Sequence, residues 1–287
     1  MKKYGYFLFF LLYLFINATR PNSHGNLIIN GIDVSLDVVL KKSSNYCEKL
    51  ARSALFFVCQ EKIEETIYFY SYMPTFRRYR IVSSIPQKIE RNNYLYDYQL
   101  IKEGGKFEEK RILLAENGEK KHHENAELKT KRFYSKRSIF GPIGLLNKDS
   151  QELYDYEILK VDNLKGKNAY VIEIKPKKKM ANRPNYGKVW IDTKDSSVLK
   201  IETEEESLVG FEKLREESER QGLTPVLNVV HYFEIEKNGI RFPSRTIFEE
   251  GYIGPRIKGR KKKSSTIITY DKYRFFIVKV EVKYQPK

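Results

Sequence analysis

Residues 169–202 contain three short runs of strand-forming residues, and this pattern restricts the fold more than any other part of the chain. The runs read AYVIEIK, GKVWID and SVLKIE, and residues typical of turns separate them. In the first run Tyr170, Ile172 and Ile174 share one face and alternate with Val171, Glu173 and Lys175. The pattern predicts half-buried antiparallel strands joined as a meander.

Similar patterns extend the sheet on both sides of this meander. Residues 94–114 read as a hairpin around two glycines, and residues 227–250 as another around an Asn-Gly turn. Residues 154–164 add a strand before the meander, and residues 266–284 close the sheet.

Three segments break the strand pattern with apolar residues near helical spacing. We predict a helix over 35–54 and a second, inserted helix over 206–221. The Ser43-Ser44 pair weakens the first pattern, so that segment is compatible with two helices as well as one. Residues 133–153 predict a bend and a short helix over the sheet, either as a movable lid on a cavity or as ordinary core filling.

Together these elements place the chain in the mainly β (α+β) class. We expect a single strongly curved antiparallel sheet or incomplete barrel of about nine to eleven strands. The N-terminal helix and the inserted helix are expected to cover it. Because no linker rich in Pro, Gly or Ser divides the chain, residues 24–287 are predicted to form a single domain.

The first 23 residues have the layout of a secretory signal peptide. Lys2 and Lys3 precede an apolar run over 6–16, and a short polar segment follows it. A membrane-spanning helix needs about 20 apolar residues, which is more than this run provides. We therefore predict cleavage and export to the periplasm, with an uncleaved anchor in the inner membrane as the alternative.

The net charge of +16 predicts an anionic partner but does not identify it. Nucleic acid, an anionic lipid surface and acidic polymers all fit the charge. Export excludes nucleic acid, so an anionic membrane surface or an acidic envelope partner is expected. The candidate contact patches are basic segments, each of which is also compatible with an ordinary solvated loop; their residues are Arg77, Arg78, Arg80, Lys177, Lys178, Lys179, Arg260, Lys261, Lys262 and Lys263.

Cys47 and Cys59 are the only cysteines, and they fall in the part of the chain that is predicted to be exported. In an oxidising compartment such a pair forms a disulfide, which would pin the first helix to the first long strand. A pair of buried thiols is the alternative. No nearby histidine joins the pair, so a zinc site is not expected.

Nothing in the sequence predicts an enzyme, a metal site or a cofactor. The chain has four histidines, of which His122 and His123 are adjacent in a segment expected to be a solvated loop. It contains no Gly-x-Ser-x-Gly or His-Glu-x-x-His motif, and no glycine-rich phosphate loop follows a strand. The carboxylates Glu61 and Glu64 carry little weight in a chain with so many charged residues.

Two short motifs resemble the lipoprotein-localisation superfamily, which comprises the LolA and LolB carriers and the RseB sensor domain. Trp190, Ile191 and Asp192 resemble the strand ending of that superfamily, and 198–202 its following strand. The Asn-Gly-Ile-Arg-Phe-Pro run at 238–243 is similar to the segment before a later strand. The cysteine-bearing region around 46–61 departs from the pattern of the carriers, which indicates a divergent branch.

The resemblance implies a half-barrel that encloses an apolar cavity for acyl chains. Its expected ligands are a lipid or the acyl chains of a lipoprotein, bound without catalysis by a monomer. The alternative is an RseB-like envelope sensor or scaffold that binds other envelope proteins and transports no lipid. The residues expected to line the cavity are Ile139, Phe140, Ile143, Leu145, Leu146, Tyr170, Ile172, Ile174 and Trp190.

Overall fold

The computed structural model describes residues 27–29, 32–53, 57–70, 72–75, 78–81, 85–103, 106–132, 138–178, 185–255 and 259–275. The predicted signal peptide lies outside the described residues, as do Arg77 and Lys179 of the predicted basic patches.

Strands dominate the described chain. They are β1 (Leu27–Ile29), β2 (Ile32–Val34), β3 (Phe57–Phe69), β4 (Tyr72–Thr75), β5 (Arg78–Ile81), β6 (Lys88–Glu103), β7 (Lys106–Glu116), β8 (Glu119–His123), β9 (Tyr154–Leu164), β10 (Lys167–Pro176), β11 (Gly187–Asp192), β12 (Val198–Thr203), β13 (Thr224–Tyr232), β14 (Ile235–Lys237), β15 (Ile240–Phe242), β16 (Arg245–Ile253) and β17 (Lys261–Phe275). The helices are α1 (Leu36–Ser53), α2 (Gly141–Leu146), α3 (Lys148–Gln151) and α4 (Phe211–Arg220), with single 3₁₀ turns at Ser138–Phe140 and Glu205–Ser207.

One curved antiparallel sheet contains eleven of these strands, in the order β8-β7-β6-β3-β17-β16-β13-β12-β11-β10-β9. The sheet is not closed into a barrel, and β8 and β9 are its two edges. Three separate hairpins, β1–β2, β4–β5 and β14–β15, lie outside it. The predicted fold class, a curved sheet of about this size that helices cover, is confirmed.

Helix α1 packs on one face of this sheet, named here the inner face. Val39, Leu40, Tyr46 and Leu50 recur at helical spacing and are at most 8% exposed, within one cluster that includes the sheet residues. The helix continues through Ser43, whose hydroxyl donates to the carbonyl of Val39 at 2.9 Å. The predicted weakness at the serine pair therefore produces no break.

Strand β3 shows how the sequence sets the inner face. From Cys59 to Ile67 every second residue is buried, whereas the residues between them are exposed or intermediate. Two of these inward positions, Glu61 and Glu65, carry carboxylates, so the inner face is partly polar. Among the described helices, none combines the length and the apolar character that crossing a membrane requires.

Candidate functional site

The apolar part of the inner face lies beneath α1 and α2, and most of the predicted cavity residues meet there. Ile139, Leu145 and Leu146, at and beside α2, are at most 3% exposed, and Ile172 and Ile174 on β10 are fully buried. All five belong to one continuous cluster, against which the partly buried Phe140, Ile143 and Tyr170 also pack. In this conformation the side chains of the α2 segment occupy the space that the sequence assigned to a ligand.

Helix α2 is held on the sheet by close packing and by hydrogen bonds that side chains donate to its carbonyls. A Cβ atom added at Gly141 would lie 3.1 Å from Cδ1 of Ile201, so a larger residue here would require the Ile201 side chain to shift by a few tenths of an ångström. The carbonyl of Leu145 accepts a hydrogen bond from the Tyr156 hydroxyl at 2.6 Å, and that of Leu146 accepts one from Gln151 Nε2 at 2.8 Å. The six-residue helix has no side-chain N-cap, and a helix this short depends on tertiary packing for its stability.

Trp190 does not join the other predicted cavity residues. It packs with Ala169, Val171 and Leu199 in a small cluster separate from that of the inner face. Its indole Nε1 donates to Asp162 Oδ2 at 3.1 Å, and Lys200 Nζ lies 4.0 Å from the ring centre. Residues on both faces of β11 are buried, so burial of its side chains does not indicate which face Trp190 occupies.

The predicted disulfide is not present. Cys47 and Cys59 are free thiols, each 1% exposed. Cys47 Sγ donates to the carbonyl of Pro142 at 3.3 Å, whereas Cys59 hydrogen-bonds with Tyr273, so the two thiols have different partners. Burial raises the pKa of Cys47 to about 12 and also raises the pKa of Cys59. Both are therefore buried structural thiols at neutral pH.

The sheet under β6 and β7 holds a buried ion pair that the sequence interpretation missed. Arg111 donates to Glu61 from Nε at 2.6 Å and from Nη2 at 3.2 Å, and the guanidinium stacks 4.7 Å from the ring centre of Tyr98. Burial alone would lower the pKa of the Arg111 guanidinium. The neighbouring Glu61 carboxylate has the larger effect, so the pKa is raised. The signal that could have indicated such a partner is an acidic residue at an inward position of β3.

Residues 124–132, named here the strap, cross the inner face beside this ion pair. Glu65 accepts hydrogen bonds from the backbone amides of Lys131 at 2.8 Å and Arg132 at 3.0 Å. The Tyr96 hydroxyl accepts from the Lys129 amide at 3.2 Å, and Arg132 Nε donates to Glu250 Oε2 at 3.0 Å. Part of the segment expected to be a solvated loop is thus fixed to the sheet, although His122 and His123 are exposed, on β8.

The described basic segments all lie at one end of the sheet. At this end β3 and β10 finish, β17 begins, and the β4–β5 hairpin with Arg78 and Arg80 connects β3 to β6. Residues 260–263 therefore adjoin the hairpin. Lys177 and Lys178 follow β10, which is six positions from β3 in the sheet order, or roughly 29 Å along an uncurved sheet. The structure thus brings two of the predicted patches together and leaves the third apart.

At the opposite end of the sheet lies a cavity of about 180 Å³, which the sequence did not indicate. Leu164, Leu199 and Phe233 line it, together with Arg241. The guanidinium of Arg241 donates to Ser197 Oγ at 2.7 Å and lies 2.9 Å from Glu236. Three further carboxylates and two lysines surround it, so positive and negative charge are nearly balanced; these residues are Asp192, Asp195, Glu234, Lys165 and Lys167.

No group of three or more His, Cys, Asp or Glu side chains in the described part of the chain has an arrangement that would hold a metal ion.

Comparison with known proteins gives structural likenesses only. No family model matches the chain, and no curated protein matches it. A DUF1329 family protein from Desulfovibrio piger aligns over 84% of this chain and 92% of its own, with a TM-score of 0.37 and 13% identity. A LolA superfamily protein from Nitrosomonas europaea aligns over 86% of this chain and 96% of its own, with a TM-score of 0.35 and 13% identity.

A third likeness is to an outer membrane lipoprotein-sorting protein domain from Vibrio parahaemolyticus, over 82% of this chain and 93% of its own, with a TM-score of 0.26 and 12% identity. The second and third of these proteins are described in the terms of the superfamily that the sequence resembles. At these TM-scores and identities no function transfers from these proteins to this chain.

Proposed function

We propose that this chain is an exported envelope protein that holds an acyl chain of a lipid or lipoprotein, without catalysis, between the inner face of the sheet and α1. The observation that supports the proposal is the continuous apolar cluster beneath α2, a six-residue helix without a side-chain cap. An acyl chain enters by displacing the α2 side chains from the apolar cluster that they share with residues of β10 and β12.

The free energy lost when the α2 side chains leave the inner face is similar in size to the free energy gained when an acyl chain is buried there. Removing Ile139, Leu145 and Leu146 from the inner face loses about 1.5–3 kcal/mol for each side chain, or about 5–9 kcal/mol together. An acyl chain that buries ten methylenes gains about 8 kcal/mol. A chain of this length therefore offsets the displacement of α2, and a much shorter one does not.

The first test is native mass spectrometry of the purified protein, followed by extraction of any bound lipid. The delipidated protein is then titrated with saturated fatty acids of increasing length. We expect affinity to rise about fourfold for each added methylene until the chain fills the site. Absence of co-purified lipid, together with no fatty-acid binding at any length, would contradict the proposal.

Strand β10 offers a matched pair of variants for the same titration. Ile172→Ala removes apolar surface from the inner face, and Val171→Ala removes it from the opposite face at the neighbouring position. Both residues are at most 1% exposed, so both variants lose stability. Only Ile172→Ala is expected to change fatty-acid affinity, and equal changes in the two variants would place the ligand elsewhere.

The second candidate function is an envelope sensor or scaffold that binds another envelope protein. It is favoured by β9, an edge strand of eleven residues with no strand paired on its far side in the described chain. An extended segment of a partner can pair with such an edge. Leu159 on this strand is 38% exposed. Native mass spectra that show a stoichiometric protein partner and no lipid would favour this function over acyl binding.

A further inference from the structure

One end of the sheet exposes an unusual share of the apolar side chains. Eight large hydrophobic residues are exposed in the described chain, and four of them lie on or beside β6, β3 and β16 where β3 finishes: Phe69 at 37%, Ile85 at 73%, Ile89 at 37% and Ile253 at 42%. The strands that carry or adjoin them, β6, β3, β17 and β16, are consecutive in the sheet. The amide of Gln87 donates to the Phe69 carbonyl at 2.8 Å, which keeps the Ile85 segment beside β3.

Basic side chains also lie at this end, and two of them flank the Phe69 ring. Lys88 is paired with Phe69 across β6 and β3, and its Nζ lies 5.5 Å from the centre of the Phe69 ring. Lys263 Nζ lies at the same distance, so the ring stands between two ammonium groups. Arg91 and Arg260 are exposed at this end as well. These residues, with Phe69, Ile85, Ile89 and Ile253, are named here the Phe69 patch.

The nearby carboxylates are already engaged by other cations. Glu90 pairs with Lys131, Glu249 with Lys262, and Glu250 with Arg132. Within the described part of the chain, no carboxylate forms a salt bridge with Lys88. Burial, followed by repulsion from Arg132, lowers the pKa of Lys263, which is consistent with a surplus of positive charge in the patch. The β4–β5 hairpin, which carries Arg78 and Arg80, also extends from this end.

We propose that the Phe69 patch docks on an anionic bilayer surface. Lys88, Arg91, Arg260 and Lys263 then lie at the level of the headgroup phosphates, while Phe69 and Ile85 enter the boundary between headgroups and acyl chains. Cations alone would suit any polyanion, but exposed aromatic and aliphatic side chains among them suit a surface that is charged outside and apolar just beneath. This docking goes beyond acyl binding on the inner face, since it uses different residues.

The test measures partition of the full chain, as purified from its native compartment, onto vesicles. Vesicles of phosphatidylglycerol mixed equally with phosphatidylcholine are compared with phosphatidylcholine alone. Each basic side chain near such a surface contributes about fivefold, so Lys88→Gln/Arg260→Gln is expected to weaken partition about 25-fold. The matched control, Lys160→Gln/Lys194→Gln, removes the same charge from exposed positions away from the patch and is expected to leave partition within about twofold.

A third variant separates a bilayer from other polyanions. Phe69→Ser is expected to weaken partition about fivefold, and to do so at high salt as well as low salt, because its contribution is apolar. Equal losses in the patch variant and the control, or no preference for anionic vesicles, would overturn the proposal. So would soluble polyglutamate binding as tightly as vesicles with no effect of Phe69→Ser, which would identify an acidic polymer as the partner. Fatty-acid titration of each variant measures acyl binding on the inner face, independently of docking through the Phe69 patch.

Discussion

The buried pair Glu61–Arg111 gives the sharpest stability prediction. Glu61 is fully buried and Arg111 is 9% exposed, and two hydrogen bonds join them. In Arg111→Met the carboxylate loses its partner and must take up a proton to remain buried. Protonating a carboxyl of ordinary pKa at pH 7 costs about 4 kcal/mol, which agrees with the roughly 3–5 kcal/mol lost when a buried pair is broken.

This mechanism has a distinctive pH dependence. Because the cost is that of protonation, it should fall by about 1.4 kcal/mol for each pH unit between 7 and 5. The assay is urea unfolding followed by fluorescence of Trp190, the single tryptophan. The double variant Glu61→Gln/Arg111→Met should lose this pH dependence. A cost for Arg111→Met below about 1 kcal/mol, or one equal at pH 5 and pH 7, would refute the reasoning.

Three further predictions concern single residues. Cys47 and Cys59 should resist maleimide at pH 8 until the protein is unfolded, and a reductant should leave the melting temperature unchanged; rapid labelling or a reductant effect would contradict the free buried thiols. Burial lowers the pKa of His231 to about 4, so as the pH falls the unfolded chain takes up a proton on this residue before the folded chain does. The free energy of unfolding should therefore fall by about 2 kcal/mol from pH 7 to pH 5, and His231→Gln should not show this loss. Gly187→Ala should destabilise by on the order of 3 kcal/mol in urea unfolding, since its Cβ would lie 2.1 Å from the Glu202 carbonyl oxygen, and a neutral result would contradict this close approach.

The strand pattern predicted the architecture well because alternation in an antiparallel sheet is a local signal. The three runs in 169–202 correspond to β10, β11 and β12, in consecutive order in the sheet. The Asn-Gly turn at Asn238 joins β14 to β15, and both of its residues have positive φ. The first helix, predicted over 35–54, is Leu36–Ser53.

The site was less accessible to sequence reasoning because its contacts join distant residues. Trp190 was assigned to the cavity, but β11 is buried on both faces, and only its neighbours decide which face it takes. The closeness of Cys47 and Cys59 in sequence suggested a bridge, yet Cys47 contacts Pro142, which lies 95 residues away.

Polar contacts on the inner face were missed for the same reason. Glu65 binds the amides of Lys131 and Arg132, which are 66 and 67 residues further along the chain. A charged segment such as 124–132 has the composition of a solvated loop, and nothing local indicates that two of its amides will meet a buried carboxylate. The inward position of Glu65 on β3 indicates that the carboxylate needs a partner but not which one.

The central claim is that an acyl chain occupies the inner face in place of the α2 side chains. Photo-crosslinking with a fatty acid that carries a diazirine near its methyl end, followed by peptide mapping, tests this most directly. The account predicts labels on Ile172, Ile174 and the α2 segment, and none on Val171 or Trp190 of the opposite face. Labels confined to the opposite face or to the surface, or no labels that unlabelled fatty acid displaces, would contradict it.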